Sequence, residues 1–469
     1  MKTGKINFFH KKIIVLFFAL FLVNKTAGHE AFYTTHETFS INKDQTRTVK
    51  KPWTFIVYMA ADNDLRNFAM RNIKQMCQIG SNERVNIVVQ LDIKLKAGKK
   101  TTQRFFITHE GPKQVNENDP LSQSMDSGKT ETLISCCKWA IEDYPAYNYA
   151  LMFWNHGSGI IDPNFNRVVC ASELFRYNPT SNQLDLDRSI GFLDFMNTLN
   201  IQASEQRGIC WDDSSGNYLT NQKLDLALNT ICSTLLGNKK FSIIGFDACL
   251  MSMLEVADIV KNYAHVMTAS EEVELGTGLD YSQVLIPFLS HIPTPQDLGA
   301  HLATSYALSY QKITNDYTHS ALDLDRIPLL EHNVHRVSQL LISCLQNQKN
   351  GSVKQALTAC RNKNTCTHFD EPSYIDLHHF YRNVLNSLKA FSFKNNDQTN
   401  VINQLREALT EGCLSIENAT IANVTGKNLS NAKGIAIYFP ERGIHPSYRK
   451  TNFAQNNDWS VFLNQFMLL

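Results

Sequence analysis

The chain has 469 residues, 43% of them hydrophobic and 19% charged, with a formal net charge of +1 at pH 7. That is enough apolar material for a sizeable packed core. The near-zero charge balance gives no bulk electrostatic case for nucleic acid or a membrane surface, so the partner is set by a local site.

At the N-terminus, Lys2, Lys5, Lys11 and Lys12 precede an apolar run from Ile13 to Val23, followed by the small residues Thr26, Ala27 and Gly28. This is the grammar of a secretory signal. The apolar run is too short to cross ~30 Å of hydrocarbon at ~1.5 Å per residue. Residues 1–28 are therefore expected to be removed, leaving a secreted or periplasmic product without a membrane anchor. Residues 29–51 are polar and aperiodic and read as a flexible mature N-terminus.

From residue 52 the pattern is that of an α/β core. Trp53 to Ala61 is a continuous apolar strand, and Asp62, Asn63 and Asp64 read as a turn and helix N-cap before the amphipathic run Leu65 to Ile79. Strands follow at Val85–Asp92 and Arg104–Thr108, then a helix over Ser127–Glu142, then an apolar strand from Tyr149 that ends at His156. Residues 160–206 are polar, contain Pro163 and Pro179, and read as an insertion. After a turn at Gly208–Thr220 come a helix over Gln222–Leu236, a strand from Phe241 that ends at Cys249, a helix over Leu250–Lys261 and a strand over His265–Glu272. These alternations predict a mostly parallel sheet covered by helices on both faces, in a catalytic domain over 52–293. From Thr294 onward longer amphipathic helices appear, at Asp297–Lys312, Asp325–Leu345 and Tyr374–Phe391. A last strand over Gly434–Pro440 and a helix over Trp459–Phe466 complete a C-terminal α+β region, 294–469, packed on the first.

Eleven cysteines is an odd number, so in an exported chain at least one thiol stays unpaired unless chains cross-link, and Cys249 is the choice for it. Cys360 and Cys366 flank a short polar loop and are the candidates for a local disulfide. Adding His368 to them gives no strong zinc spacing, and no metal site is assigned.

In open α/β sheets the crevice beyond the carboxyl ends of the strands binds ligands. An imidazole and a thiol delivered there together suggest a cysteine nucleophile with an acid/base partner, the chemistry of peptide-bond cleavage. Taken singly, a strand-end Cys or His is more often a core residue; the pairing of the two strands shifts the balance. Asp247 lies two residues before Cys249 and so points to the same face of its strand. An acid there selects a cationic substrate side chain, with Arg favoured over Lys for its fork geometry, unless it serves instead to cap the helix expected from Leu250.

These residues sit in a longer ordered set: Tyr58-Met-Ala-Ala-Asp-Asn63, Glu131-Thr-Leu133, Trp154-Asn-His-Gly-Ser-Gly159, Gly245-Phe-Asp-Ala-Cys-Leu-Met-Ser-Met-Leu-Glu-Val-Ala257, Ala269-Ser-Glu-Glu272, Tyr374-Ile-Asp-Leu377 and the Gly434–Pro440 strand. In this the chain resembles the clostripain-like cysteine peptidases, peptidase family C11, of the clan that holds caspases, legumain and gingipains. The resemblance implies a caspase-like three-layer α/β sandwich with a family-specific C-terminal region, and a His–Cys dyad carried by His156 and Cys249. It also implies endopeptidase activity, commonly after Arg or Lys, and self-cleavage between the two dyad residues.

Gly157 and Cys249 are the expected oxyanion donors, through their backbone N–H groups. Many relatives carry a second pocket acid where this chain has Gly276-Thr277-Gly278; Glu274 or Asp280 are candidates to compensate, and Asp62 is another candidate wall. Glu271 and Glu272 are counted with Asp247 and Asp62 as substrate-binding candidates. Arg167, Arg176, Arg188 and Arg207 are candidate self-cleavage points. No cofactor is required; the resemblance brings in Ca2+ for some members, although no ligand loop of recognisable spacing is present. The expected partners are protein or peptide substrates. The competing readings are a non-catalytic secreted binding protein on the same scaffold, and a clan relative with different specificity or transpeptidase activity.

Overall fold

A strand covered on both faces has no polar side to show, which is why the unbroken apolar runs become the middle of the sheet. The computed structural model describes residues 49–95, 98–161, 174–188, 208–393 and 399–469. The expected signal lies outside them, as does most of the expected flexible segment; Lys51 already belongs to the first strand. In chain order the strands are β1 (Lys51–Ala61), β2 (Val85–Lys94), β3 (Lys100–Thr108), β4 (Gly111–Gln114), β5 (Ala146–Trp154), β6 (Phe175–Asn178), β7 (Gln183–Leu186), β8 (Gly208–Asp212), β9 (Asn217–Thr220), β10 (Phe241–Asp247), β11 (Ala264–Ala269), β12 (Thr318–Asp323), β13 (Tyr374–Asp376), β14 (Thr420–Thr425) and β15 (Ala436–Tyr438). Nine of them form one sheet in the order β14-β12-β11-β10-β5-β1-β2-β3-β4. The five central strands, β11 to β2, are parallel. Both flanks are antiparallel, so the sheet is mixed, with a parallel centre. β3 runs against β2 because the connection between them is too short for the crossover that a parallel neighbour needs.

Alternation along β1 builds the two faces. Ile56, Tyr58 and Ala60 pack into the core that includes Leu133, Cys136, Cys137 and Ala140 of the helix Thr130–Asp143. Phe55, Val57 and Met59 enter the opposite core with Ala69, Ile73 and Met76 of the helix Arg66–Ile79 and with Leu298 and Leu302 of the helix Pro295–Tyr310. The buried positions at 69, 73 and 76 are one face of a helix, and the result is three layers.

The region after residue 293 does not stand apart. β12 and β14 extend the main sheet beyond β11, so Thr48–Leu469 is one compact unit and the expected boundary at 293/294 does not divide it. The helix Thr399–Ala419 and β14 were not expected from the sequence. The helix expected over 374–391 gives its first three residues to β13, which pairs with β15, and begins at Leu377 under the cap of Asp376. All ten described cysteines are free thiols, Cys360 and Cys366 among them, so the expected disulfide is absent; Cys170 lies outside the described residues. Both ring nitrogens of His368 face backbone carbonyls, of Pro372 and Arg361. Among the described residues no helix is long and apolar enough to cross a membrane.

Candidate active site

β5 and β10 are neighbours, parallel, with Trp154 paired to Asp247 and the Asn155 N–H donating to the Asp247 carbonyl at 3.3 Å. His156 and Cys249 each lie two residues beyond that pair, so strands about 4.8 Å apart deliver them side by side at one rim. Both line one pocket of about 360 Å³ measured out to solvent, together with Asp247, Glu274, Gly278 and Leu174. The two strand ends approach so closely that a Cβ on Gly157 would sit 2.5 Å from the Cys249 carbonyl oxygen. Only glycine fits there.

The Cys249 residue is 6% exposed. Its sulfur accepts a hydrogen bond from the Glu274 N–H at 3.2 Å and faces the Glu274 carbonyl at 3.9 Å. Burial pushes the thiol well up, which favours the neutral form. The expected helix from Leu250 is not there. Leu250, at φ 62°, takes the left-handed conformation that side chains rarely adopt, and its N–H donates to Glu272 while that of Ser252 donates to Ser270. Backbone bonded outward in this way cannot continue as a helix, and the helix begins only at Leu254. No helix N-terminus therefore stands at Cys249 to favour a thiolate through its dipole.

His156 Nε2 lies 2.7 Å from Asp64 Oδ1. Asp64 is not among the residues that the sequence singles out for the site, because Asp62-Asn63-Asp64 reads as a helix cap. The triplet does not cap the helix Arg66–Ile79; Leu65 stands at that position with no side-chain bond. Asn63 instead donates to the carbonyls of Ala60 and Trp211 and accepts from the Leu65 N–H. Asn155 bonds the same two carbonyls and accepts from the Trp211 N–H, so two asparagines lock the His156 rim to β1 and β8. The position of Asp64 just past a central strand, β1, next to the His156 strand, is the signal that could have found it.

The candidate acids separate. Asp247 lines the pocket but both its oxygens are engaged, by the Leu279 N–H at 2.8 Å and the Tyr281 hydroxyl at 2.9 Å. Burial, reinforced by neighbouring Glu274, pushes its carboxyl up to about 8. Gly278, at φ 57°, lets the loop close over it, since a Cβ there would lie 2.4 Å from Asp247 Oδ1. Glu274 also lines the pocket and has burial raising its carboxyl; its Oε1 meets His319 Nδ1 at 3.3 Å and its Oε2 makes no hydrogen bond. Asp280 is spent capping the turn at Ser282. Asp62 is not a pocket wall: it joins Asp92 and Asp212 around the Lys100 ammonium, which lies 3.7 Å from it and 3.0 Å from Asp92. Glu271 accepts from the Gly434 N–H at 3.1 Å, and Glu272 from Arg188 at 2.7 Å and from the Asp370 N–H at 2.8 Å. Both are structural ties, because buried carboxylates are retained only where donors meet them. Among the described residues no group of three or more His, Cys, Asp and Glu is placed to hold a metal ion.

The model of the clostripain family matches residues 57–178 and 196–466, both strand ends included. The chain belongs to the clostripain family. It is a cysteine-type peptidase, acting on peptide substrates. Among solved structures, this clostripain-family chain is similar to a secreted C11 cysteine protease from Bacteroides thetaiotaomicron in complex with an irreversible peptide inhibitor, with 18% identity, 87% of this chain and 99% of that one covered, and a TM-score of 0.55. It is also similar to an inactive zymogen C11 protease from Parabacteroides distasonis, with 17% identity, 87% and 98% covered, and a TM-score of 0.54. At these identities the likeness establishes the shared α/β fold. No curated protein matches the sequence.

Proposed function

We propose that this clostripain-family peptidase is an exported endopeptidase in which Cys249 is the nucleophile and His156 the acid/base. The observation that carries the reading is the equal reach of two adjacent parallel strands, which sets an imidazole and a thiol at one rim with a pocket between them. Cys249 gives its proton to His156 and the sulfur attacks the scissile carbonyl carbon. The oxyanion is met by the backbone N–H groups of Gly157 and Cys249. His156 returns the proton to the departing amine, leaving a thioester; it then takes a proton from water as hydroxide adds to the thioester carbonyl, and the C–S bond breaks to release the acid and hand that proton back to Cys249. The reaction as written uses no cofactor.

The pocket favours a cationic P1 side chain, Arg or Lys, because two carboxyl groups, Asp247 and Glu274, stand beside the nucleophile. A cation brought between them draws out their protons and pairs with the charge. Self-cleavage falls between His156 and Cys249. Arg176 and Arg188 lie in the β6–β7 region, and Arg167 and Arg207 lie outside the described residues. The secretory N-terminus agrees with a role on proteins outside the cytoplasm.

Turnover of fluorogenic peptides with Arg, Lys, Asn and Asp at P1 tests this. We expect cleavage after Arg and Lys, and a loss of about 10³-fold or more in Cys249→Ala and in His156→Ala. Wild-type rates in either variant would end the dyad assignment; preference for Asn or Asp would end the basic-pocket reading. Wild type running as two chains and Cys249→Ala as one is the expected gel pattern, and one intact band for both would refute self-cleavage.

A further inference from the structure

A dyad histidine has two nitrogens, and which one meets the substrate is set by what holds the other. Asp64 Oδ1 lies 2.7 Å from His156 Nε2, with the two side chains 14% and 15% exposed. An ionised carboxylate only accepts, so Nε2 carries the hydrogen in this pair. We propose that Asp64 is the positioning residue of the site: it fixes the tautomer and ring plane of His156, so that Nδ1 is the nitrogen that exchanges a proton with Cys249 and the leaving amine. The proposal rests on the reading of His156 and Cys249 as the dyad and adds a third member to it.

The loop that carries Asp64 is built to hold that aim. On one side of Asp64, Asn63 bonds two backbone carbonyls from different strands and the Leu65 N–H. One residue further back, Asp62 faces the Lys100 ammonium. That ammonium also pairs with Asp92, which accepts from Thr102 and Ser127, and with Asp212, whose carboxylate accepts from the Ser127 and Ser215 N–H groups. The Asp213 N–H in turn donates to the Asp62 carbonyl at 2.8 Å. A half-buried cation ringed by three carboxylates ties β2, β3 and β8 to the end of β1, so the chain between Asp62 and Leu65 has little freedom to swing. Positioning groups act through rigidity of this kind, and a misplacement of about 1 Å can cost roughly 100-fold in rate.

The experiment compares Asp64→Asn, Asp64→Ala, Asp64→Glu, His156→Ala and the double variant Asp64→Ala/His156→Ala in the full chain, on one P1-Arg fluorogenic peptide. Asp64→Asn keeps the shape and neutralises the carboxylate, so it guards against simple misfolding, and thermal melting is recorded for each protein. Expected are a kcat lower by about 10- to 100-fold in Asp64→Asn and Asp64→Ala with KM within twofold, partial recovery in Asp64→Glu, and no further loss when Asp64→Ala is added to His156→Ala. A merely structural residue would move the melting temperature and would add its loss to that of His156→Ala. Wild-type kcat in a folded Asp64→Asn, or additive losses in the double variant, would overturn the proposal while leaving the dyad intact. Wild-type kcat in His156→Ala would bring down the dyad and Asp64 with it.

Discussion

Asp247 carries a pH signature that shows whether its buried carboxyl is protonated or ionised. Its carboxyl sits at about 8 in the folded protein, chiefly through burial and then through Glu274, against about 3.9 in an unfolded chain. Between those values the folded state keeps a proton that the unfolded state has lost, so stability falls as pH rises from about 4 to about 8 and is flat beyond. The stabilisation is complete below about 4. Asp247→Asn removes this titration but leaves an acceptor for the Leu279 N–H and a partner for the Tyr281 hydroxyl. Its melting temperature should decline less than that of wild type between pH 5 and pH 8.5, by roughly 2 °C or more. Identical pH dependence in the two proteins would mean that the carboxylate is already ionised in the pocket. The placement of Asp247 was legible from its spacing to Cys249, because strand alternation fixes which face it shares. Asp64 was hidden for the opposite reason: a polar triplet after a strand has a local use as a cap, and only the long-range bond to His156 shows that the local use is not taken.

Among the elements, the β6–β7 hairpin is the one that the sequence could describe only as insertion. Its strands pair antiparallel, and it docks through the Leu184 N–H on the Ile313 carbonyl at 2.7 Å and the Leu186 N–H on Asp316 at 3.2 Å. Leu174, just before β6, forms part of the pocket wall beside Cys249, and Arg188, just after β7, donates to buried Glu272 at 2.7 Å. The hairpin is thus held at its C-terminal end by an ion pair and at its N-terminal end by the pocket itself. Arg188→Ala removes the ion pair and loosens the wall. Alkylation of Cys249 by iodoacetamide, followed by mass spectrometry of the Cys249 peptide, should run about three- to tenfold faster in Arg188→Ala than in wild type, with Glu272→Gln shifted in the same direction. An unchanged rate in both would show that Leu174 does not limit access to the thiol. The helix expected after Cys249 starts late for a reason at the same scale: the Leu250–Lys261 run has helical composition, but the Leu250 and Ser252 amides are claimed by the 270–272 segment, a tertiary contact that no local pattern encodes.

At the scale of the molecule, the sequence showed a change of texture at Thr294 that the fold does not treat as a border. Longer amphipathic helices look like a separate body when strands such as Thr420–Thr425 go unrecognised, and that strand is short, polar and only half-buried. Yet the outer edge of β11 is paired along Val266–Ala269 by β12, and β14 covers β12 in turn. The C-terminal region also reaches the rim of the pocket. The Tyr374 hydroxyl donates to the Ser158 carbonyl and accepts from the Ile161 N–H, both at 2.7 Å, and the Ala436 N–H donates to the Ser252 carbonyl at 2.9 Å. A chain ending at residue 293 would leave the inner strand β11 as a bare edge and strip partners from the segments that follow both His156 and Cys249. Unpaired edges aggregate, and buried backbone groups without partners cost about 1–3 kcal/mol each. Residues 49–293 expressed alone should therefore be insoluble or lack a cooperative thermal transition by circular dichroism, whereas the full chain melts as one unit. A soluble 49–293 fragment with a sharp melt and peptidase activity would show instead that the catalytic half stands by itself and that β12 and β14 are an addition to a sheet already complete.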